Sequence, residues 1–169
     1  MEWFLILVIL LTVFTFLGSF FEVCWLPTRK RDYDRIAQLA DIQSKATFYD
    51  LGSGGGGLLF YLAKKYHVNC VGIEISPVLY LYSKIKAVFS RGVTIKYGDF
   101  LREDLSKADI VYIFLHPKAS ERIKTVVLPK LKENSKLVIS SWPLKDRMPD
   151  QMSEKKDQTP YFLYKKHPS

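Results

Sequence analysis

Hydrophobic and polar positions divide this chain into an opening run without any period, followed by alternating segments with the spacing of helices and of buried strands. Trp3 to Phe21, WFLILVILLTVFTFLGSFF, contains no charged residue and is apolar on every face. At 1.5 Å per residue it is long enough to cross roughly 30 Å of hydrocarbon and predicts a transmembrane helix. A cleaved signal peptide fits less well, because only Glu2 precedes the run and GSFFEVC lacks a small-residue cleavage pattern. Trp3 at one end and Phe20, Phe21 and Trp25 at the other have the placement of interfacial aromatics, and RKR at 29–31 gives a basic flank on the C-terminal side only. The positive-inside rule then places the rest of the chain in the cytoplasm, or in an organelle's interior. The expectation is a single-pass membrane protein with an anchor over 1–26 and a catalytic domain over 27–169.

From Pro27 onward the periods alternate. Residues 32–42, DYDRIAQLADI, set Ile36, Leu39 and Ala40 on one helical face, and Leu58, Leu59, Leu62, Ala63 and Tyr66 repeat at helical spacing. Ser76 and Pro77 read as the N-cap and first position of a helix running through SPVLYLYSKIKAVFS, and another helix is expected around 119–131. Between them lie strand-like runs: ATFYDL, NCVGIEI, VTIKYGD, DIVYIFL, KLVISSW and a closing YFLYKK. Strands alternating with helices predict an α/β fold, a Rossmann-like doubly wound and mostly parallel sheet. Residues 145–158 are the one clearly polar, loop-like stretch.

Composition narrows this picture only a little. A chain of 169 residues with 48% hydrophobic residues suits one well-cored domain and excludes a disordered or fibrous protein. The net charge of +8 points to an anionic partner without choosing among nucleic acid, acidic protein and phospholipid. Cys24 and Cys70 suggest neither a disulfide framework nor a zinc site, and no metal is expected.

The chemistry is concentrated in FYDLGSGGGGLLFYLAKKY, residues 48–66, where four consecutive glycines join the first strand of the domain to its first long helix. Such a turn lies at the C-terminal edge of a doubly wound sheet, where ligands bind. Gly52, Gly54 and Gly57 satisfy the dinucleotide pattern G-x-G-x-x-G, while Asp50, Gly52, Gly54 and Gly56 satisfy the D-x-G-x-G-x-G of S-adenosylmethionine-dependent methyltransferases. Asp50 would repel a pyrophosphate but suits the amino end of a sulfonium cofactor. Glu74, at the end of the second strand, is placed for ribose hydroxyls, and Asp99 with Phe100 in YGDF closes the third strand where the adenine would lie. Each acid alone is an ordinary strand-end or turn residue; acids ending three successive strands favour S-adenosyl-L-methionine.

LPTRKRDYDRIAQLADIQSKATFYDLGSGGGGLL, VGIEISP, YGDFLREDLSKADIVYIFL, LPKLKENSKLVISSWPL and TPYFLYK together resemble the small seven-strand protein-lysine methyltransferases. That family includes mitochondrial enzymes acting on the ATP synthase c-subunit and the adenine nucleotide translocase, and an archaeal protein-lysine methyltransferase. The resemblance covers about residues 25–166 and implies a seven-stranded methyltransferase sheet, a protein substrate at or near a membrane, and lysine as the acceptor. It also implies that Thr28 and Ser53 join Asp50, Gly52, Gly54, Gly56, Glu74 and Asp99 at the cofactor. The family pattern is D-L-G-x-G-D-G-R; here Gly55 and Gly57 stand in place of the acid and the arginine.

No catalytic group needs to be conspicuous, because the methyl of a sulfonium is already activated and the enzyme's main task is to align a neutral nucleophile with it. A lysine acceptor has to lose a proton from a pKa near about 10.4, which an apolar, aromatic slot favours. Leu115, His116 and Pro117, ending the fourth strand, and Trp142, ending the fifth, are the candidates for that slot. His116 reads as a loop or substrate contact rather than a general base, and Trp142 equally as a packing residue. Two alternatives remain open: methylation of a lipophilic small molecule such as a quinone or lipid, and a non-catalytic cofactor-binding or interaction protein. Nucleic acid is a weaker partner, since no recognition module accompanies the charge.

Overall fold

The period-2 and period-3.6 segments assemble into a sheet covered by helices, seen in a computed structural model that describes residues 2–20, 27–114 and 117–167. The strands are β1 (Thr47–Leu51), β2 (Asn69–Glu74), β3 (Val93–Tyr97), β4 (Ile110–Ile113), β5 (Lys136–Ser140), β6 (Gln151–Ser153) and β7 (Tyr161–Lys165). Their order across the sheet is β3-β2-β1-β4-β5-β7-β6. β1 to β5 pair in parallel, and β7 runs antiparallel to both β5 and β6. The Rossmann-like, doubly wound and mostly parallel sheet of seven strands is borne out.

Alternate side chains of each central strand feed two cores. Phe48, Ile110, Tyr112 and Val138 face α2 (Tyr33–Leu39) and α3 (Gly57–Tyr66), packing with Ile36, Leu59 and Leu62. Leu51, Val111, Ile113, Leu137 and Ile139 face the other way, towards Ile123, Val127, Leu128 and Tyr164. Leu58, Leu59, Leu62 and Ala63, the stripe expected on α3, are all buried. Asp34 on α2 accepts hydrogen bonds from Lys65 Nζ, Tyr66 Oη and Tyr61 Oη at 2.7–2.8 Å, which holds its carboxyl down at about 2 and fastens α2 to α3.

Some boundaries differ from the sequence expectation. The helix expected around 119–131 is broken into α5 (Ser120–Arg122), a π-helical turn (Ile123–Val127) and α6 (Leu128–Lys130). Pro129 fits the change, because its ring occupies the space of a preceding carbonyl and it has no N–H to donate. The stretch 145–158, expected to be loop, contains β6, held by β7. The seventh strand therefore lies where no hydrophobic alternation marks it.

The membrane expectation is corrected. The first helix, α1 (Glu2–Phe20), has exposed apolar side chains from Trp3 to Leu10. Among the described residues, however, no helix is long and apolar enough to cross a membrane. The expected single-pass location of the catalytic domain falls with the anchor.

Candidate active site

The strand order reverses at β1, whose neighbours are β2 on one side and β4 on the other, so a crevice opens at the C-terminal ends of these strands. The glycine turn leaves β1 at this point. Gly52, Gly54 and Gly56 have φ of +88°, +54° and +72°, a left-handed backbone that residues with a Cβ rarely adopt. The turn is fastened to β2, because the Gly52 and Ser53 amides donate to Ile73 O at 2.9 and 3.0 Å.

Glu74 locks it further. Its Oε2 accepts from the Gly54 amide and its Oε1 from the Ser76 amide, each at 2.7 Å, so one buried carboxylate ties the glycine turn to the start of α4 (Pro77–Val88). Ser76 and Pro77 take the expected N-cap and first helical positions, but the Ser76 side chain makes no cap bond. Asp50 is likewise buried and stands opposite Gly72 on β2 and Tyr112 on β4. Burial, then the negative charge of Glu74, pushes the Asp50 carboxyl up to about 8.

The other expected residues have diverse placements. Thr28 Oγ1 lies 2.8 Å from Tyr112 Oη, so the segment before α2 crosses the sheet edge beside Asp50. Ser53 Oγ is buried without a hydrogen-bond partner and stands against the α-carbon of Gly72, towards the sheet. Asp99 caps the short 3-10 turn Phe100–Arg102 by accepting from the Leu101 amide at 2.9 Å, and Phe100 is half-buried against the second core. Pro117 opens a 3-10 turn (Pro117–Ala119), while Leu115 and His116 lie outside the described residues. Trp142, just after β5, is exposed. Ile75, next to Glu74, is also exposed, an apolar rim residue that strand periodicity alone does not single out.

Tyr33 and Tyr112 were not singled out in the sequence, because nothing in their spacing separates a tyrosine beside a ligand site from one that only packs. Tyr112 is fully buried, and its hydroxyl is held far above the usual phenol range by burial first. Tyr33 brings its hydroxyl to the start of α3, where a Cβ added to Gly57 would lie only 2.5 Å from Tyr33 Oη. A Cβ at Gly55 would meet Tyr82 at 3.3 Å.

These groups fit S-adenosylmethionine. Two buried carboxylates suit a ligand carrying a sulfonium and an ammonium and would repel a dinucleotide's pyrophosphate. A Cβ added to Gly52 would meet nothing within 4 Å, so its backbone faces open space from which a ligand can approach. When bound, this cofactor supplies an electrophilic methyl group; the chain's own groups bind, orient and exclude water.

Comparisons with known proteins agree. A family model described as the ANTKMT methyltransferase domain matches residues 50–151. A protein-lysine N-methyltransferase of Saccharolobus islandicus (strain REY15A) is 26% identical over 141 residues, covering 80% of this chain and 87% of the relative. A lysine N-methyltransferase of the ATP synthase c-subunit, from Caenorhabditis elegans, is 29% identical over 117 residues, covering 64% of this chain and 58% of that protein. Among solved structures, an RNA methyltransferase from Salinibacter ruber in complex with S-adenosyl-L-homocysteine is similar at a TM-score of 0.80 and 25% identity, covering 85% of this chain and 95% of the other.

Proposed function

From the premise that this chain belongs to the ANTKMT methyltransferase domain family and is an S-adenosylmethionine-dependent methyltransferase, we propose that it methylates lysine side chains of a protein, with its cofactor held between Asp50 and Glu74. The observation that carries the residue assignment is the pair of buried carboxylates flanking a turn of three left-handed glycines. Asp50 holds the cationic amino-acid end, Glu74 the ribose, and Asp99 and Phe100 the adenine. Gly52, Gly54 and Gly56 allow close approach of the main chain. Ser53 contributes through its backbone, and Thr28 closes the edge through Tyr112. Pro27 to Ser169 forms the catalytic unit.

The acceptor slot lies along the ends of β4 and β5, with Trp142 at the end of β5 as the residue that tests it. An apolar surface there disfavours a charged ammonium and so favours the neutral amine that attacks. Orientation of that amine is the chain's main contribution to rate.

The test is transfer of a labelled methyl group from S-adenosylmethionine to protein acceptors, with hydrolysis of the product to identify methyllysine. Trp142→Ala is expected to lower turnover at least tenfold while cofactor affinity, measured by calorimetry, changes less than twofold. Label recovered in RNA instead of lysine would replace the acceptor assignment. Equal losses of turnover and cofactor affinity would remove Trp142 from the slot.

A further inference from the structure

Gly57 opens α3, and its backbone does not require a glycine: unlike Gly52, Gly54 and Gly56, it does not have a positive φ. Space explains it instead. A Cβ at this position would lie 2.5 Å from Tyr33 Oη and 3.7 Å from Tyr33 Cζ, so only the hydroxyl oxygen is in conflict. Tyr33 is 6% exposed and its ring packs on Tyr61 at 5.2 Å between centroids. Its hydroxyl has no hydrogen-bond partner among the described residues, although it could both donate and accept. The oxygen is not sealed from solvent, so it is free to pair with a ligand that enters the crevice. Asp50 is near enough for its charge to hold the Tyr33 hydroxyl above the usual phenol range, after burial as the larger cause.

The amino-acid end of S-adenosylmethionine carries an ammonium and a carboxylate. Asp50 suits the first; the second needs a donor that is not an acid, and residue 57 has no side chain to supply one. We infer that Tyr33 is a cofactor-binding residue whose hydroxyl, in the space left by Gly57, donates a hydrogen bond to the carboxylate at the amino-acid end of the cofactor. This rests on the cofactor reading above and adds a contact that the glycine-loop pattern does not contain. Gly57 and Tyr33 then act as a pair: the glycine admits the hydroxyl, and the hydroxyl replaces a side chain that the glycine lacks.

Calorimetric titration with S-adenosylhomocysteine and with methylthioadenosine, which lacks the amino-acid end, tests it. Tyr33→Phe keeps the ring contacts and is expected to weaken S-adenosylhomocysteine about tenfold, the worth of a hydrogen bond to a charged group, while methylthioadenosine changes less than twofold. Gly57→Ala is expected to show the same pattern by displacing the hydroxyl. Combining it with Tyr33→Phe should add no further loss, since the nearest remaining atom is at ordinary contact distance. The ligand-free Tyr33→Phe protein should melt within a degree or two of the wild type, because the hydroxyl makes no hydrogen bond within the described residues that the change would break. Failure of the wild type to bind S-adenosylhomocysteine would overturn the cofactor reading and this inference together. Normal wild-type binding with unchanged affinity in Tyr33→Phe, or with equal losses for both ligands, would overturn the role of Tyr33 alone.

Discussion

A carboxyl group held at about 8 inside a folded protein is a statement about stability as well as binding. Asp50 ionises near about 3.9 in the unfolded chain, so between roughly pH 4 and pH 8 the folded state holds a proton that the unfolded state has released. Stability therefore falls as pH rises through that window, and above it the folded protein contains an unfavourable buried charge. Asp50→Asn removes this dependence. In the absence of cofactor it is expected to be more stable than wild type at pH 8 by more than about 1 kcal/mol, with the gap closing towards pH 5, in denaturant titrations at each pH. A cationic ligand reverses the preference, because the ionised carboxylate is then paired. Cofactor affinity should rise from pH 6 to pH 8 in wild type, with proton release visible as a heat that depends on the buffer's ionisation enthalpy. A flat pH profile for both stability and affinity would show that Asp50 is already ionised in the free protein. Asp50 was legible from its place two residues before the first glycine; its coupling to Glu74 was not, because it depends on the register that brings β1 and β2 together.

At the scale of elements, the glycine turn works only if α3 packs tightly over β2, and Gly72 is where that packing is closest. A Cβ there would lie 2.6 Å from both Leu59 Cδ1 and Ser53 Oγ. Gly72→Ala should therefore destabilise the protein by about 1–3 kcal/mol through overpacking, and should weaken S-adenosylhomocysteine because the displaced residues belong to the turn and to α3. Ser53→Ala makes a contrasting expectation. The lost hydroxyl is buried without a partner, so stability should hold or improve and cofactor affinity should stay within twofold. A tenfold loss of affinity would instead assign the hydroxyl to the ligand. The sequence marked Ser53 through its place in the motif and passed over Gly72, since a glycine within a strand shows its purpose only when the helix above it is in position. The same limit applies to the break in the helix after Ser120: apolar spacing continues through 119–131, while backbone hydrogen bonding changes at the π-helical turn.

Across the whole molecule, the element that closes the sheet is joined to the element that opens the domain through one buried side chain. Arg35, on α2, donates from Nη1 to Asp32 Oδ1 at 2.8 Å and to Gln158 Oε1 at 2.9 Å, and from Nη2 to Ser153 O at 2.9 Å and Thr159 O at 3.2 Å. Its guanidinium also lies over the ring of Tyr161 at 5.2 Å. β6 has only three residues and little apolar pattern, which is why it was unreadable in the sequence; its place is fixed by β7 on one side and by these bonds to Ser153. Nothing in the helical spacing of residues 32–42 singled out Arg35. The bond set predicts an asymmetry between the two members of its ion pair. Asp32→Ala leaves Arg35 with two carbonyls, an amide oxygen and the Ser153 hydroxyl as acceptors, whereas Arg35→Ala leaves a fully buried carboxylate without its cation and frees the segment 153–159. Arg35→Ala should cost about 3–5 kcal/mol, and Asp32→Ala clearly less. The double variant should be less damaged than the sum of the two, because the buried carboxylate is gone as well. Hydrogen exchange supplies the local reading: Arg35→Ala should raise exchange of the β6 and β7 amides far more than that of β1 and β2. Uniform acceleration would show that Arg35 supports the fold as a whole and not the closing strands in particular.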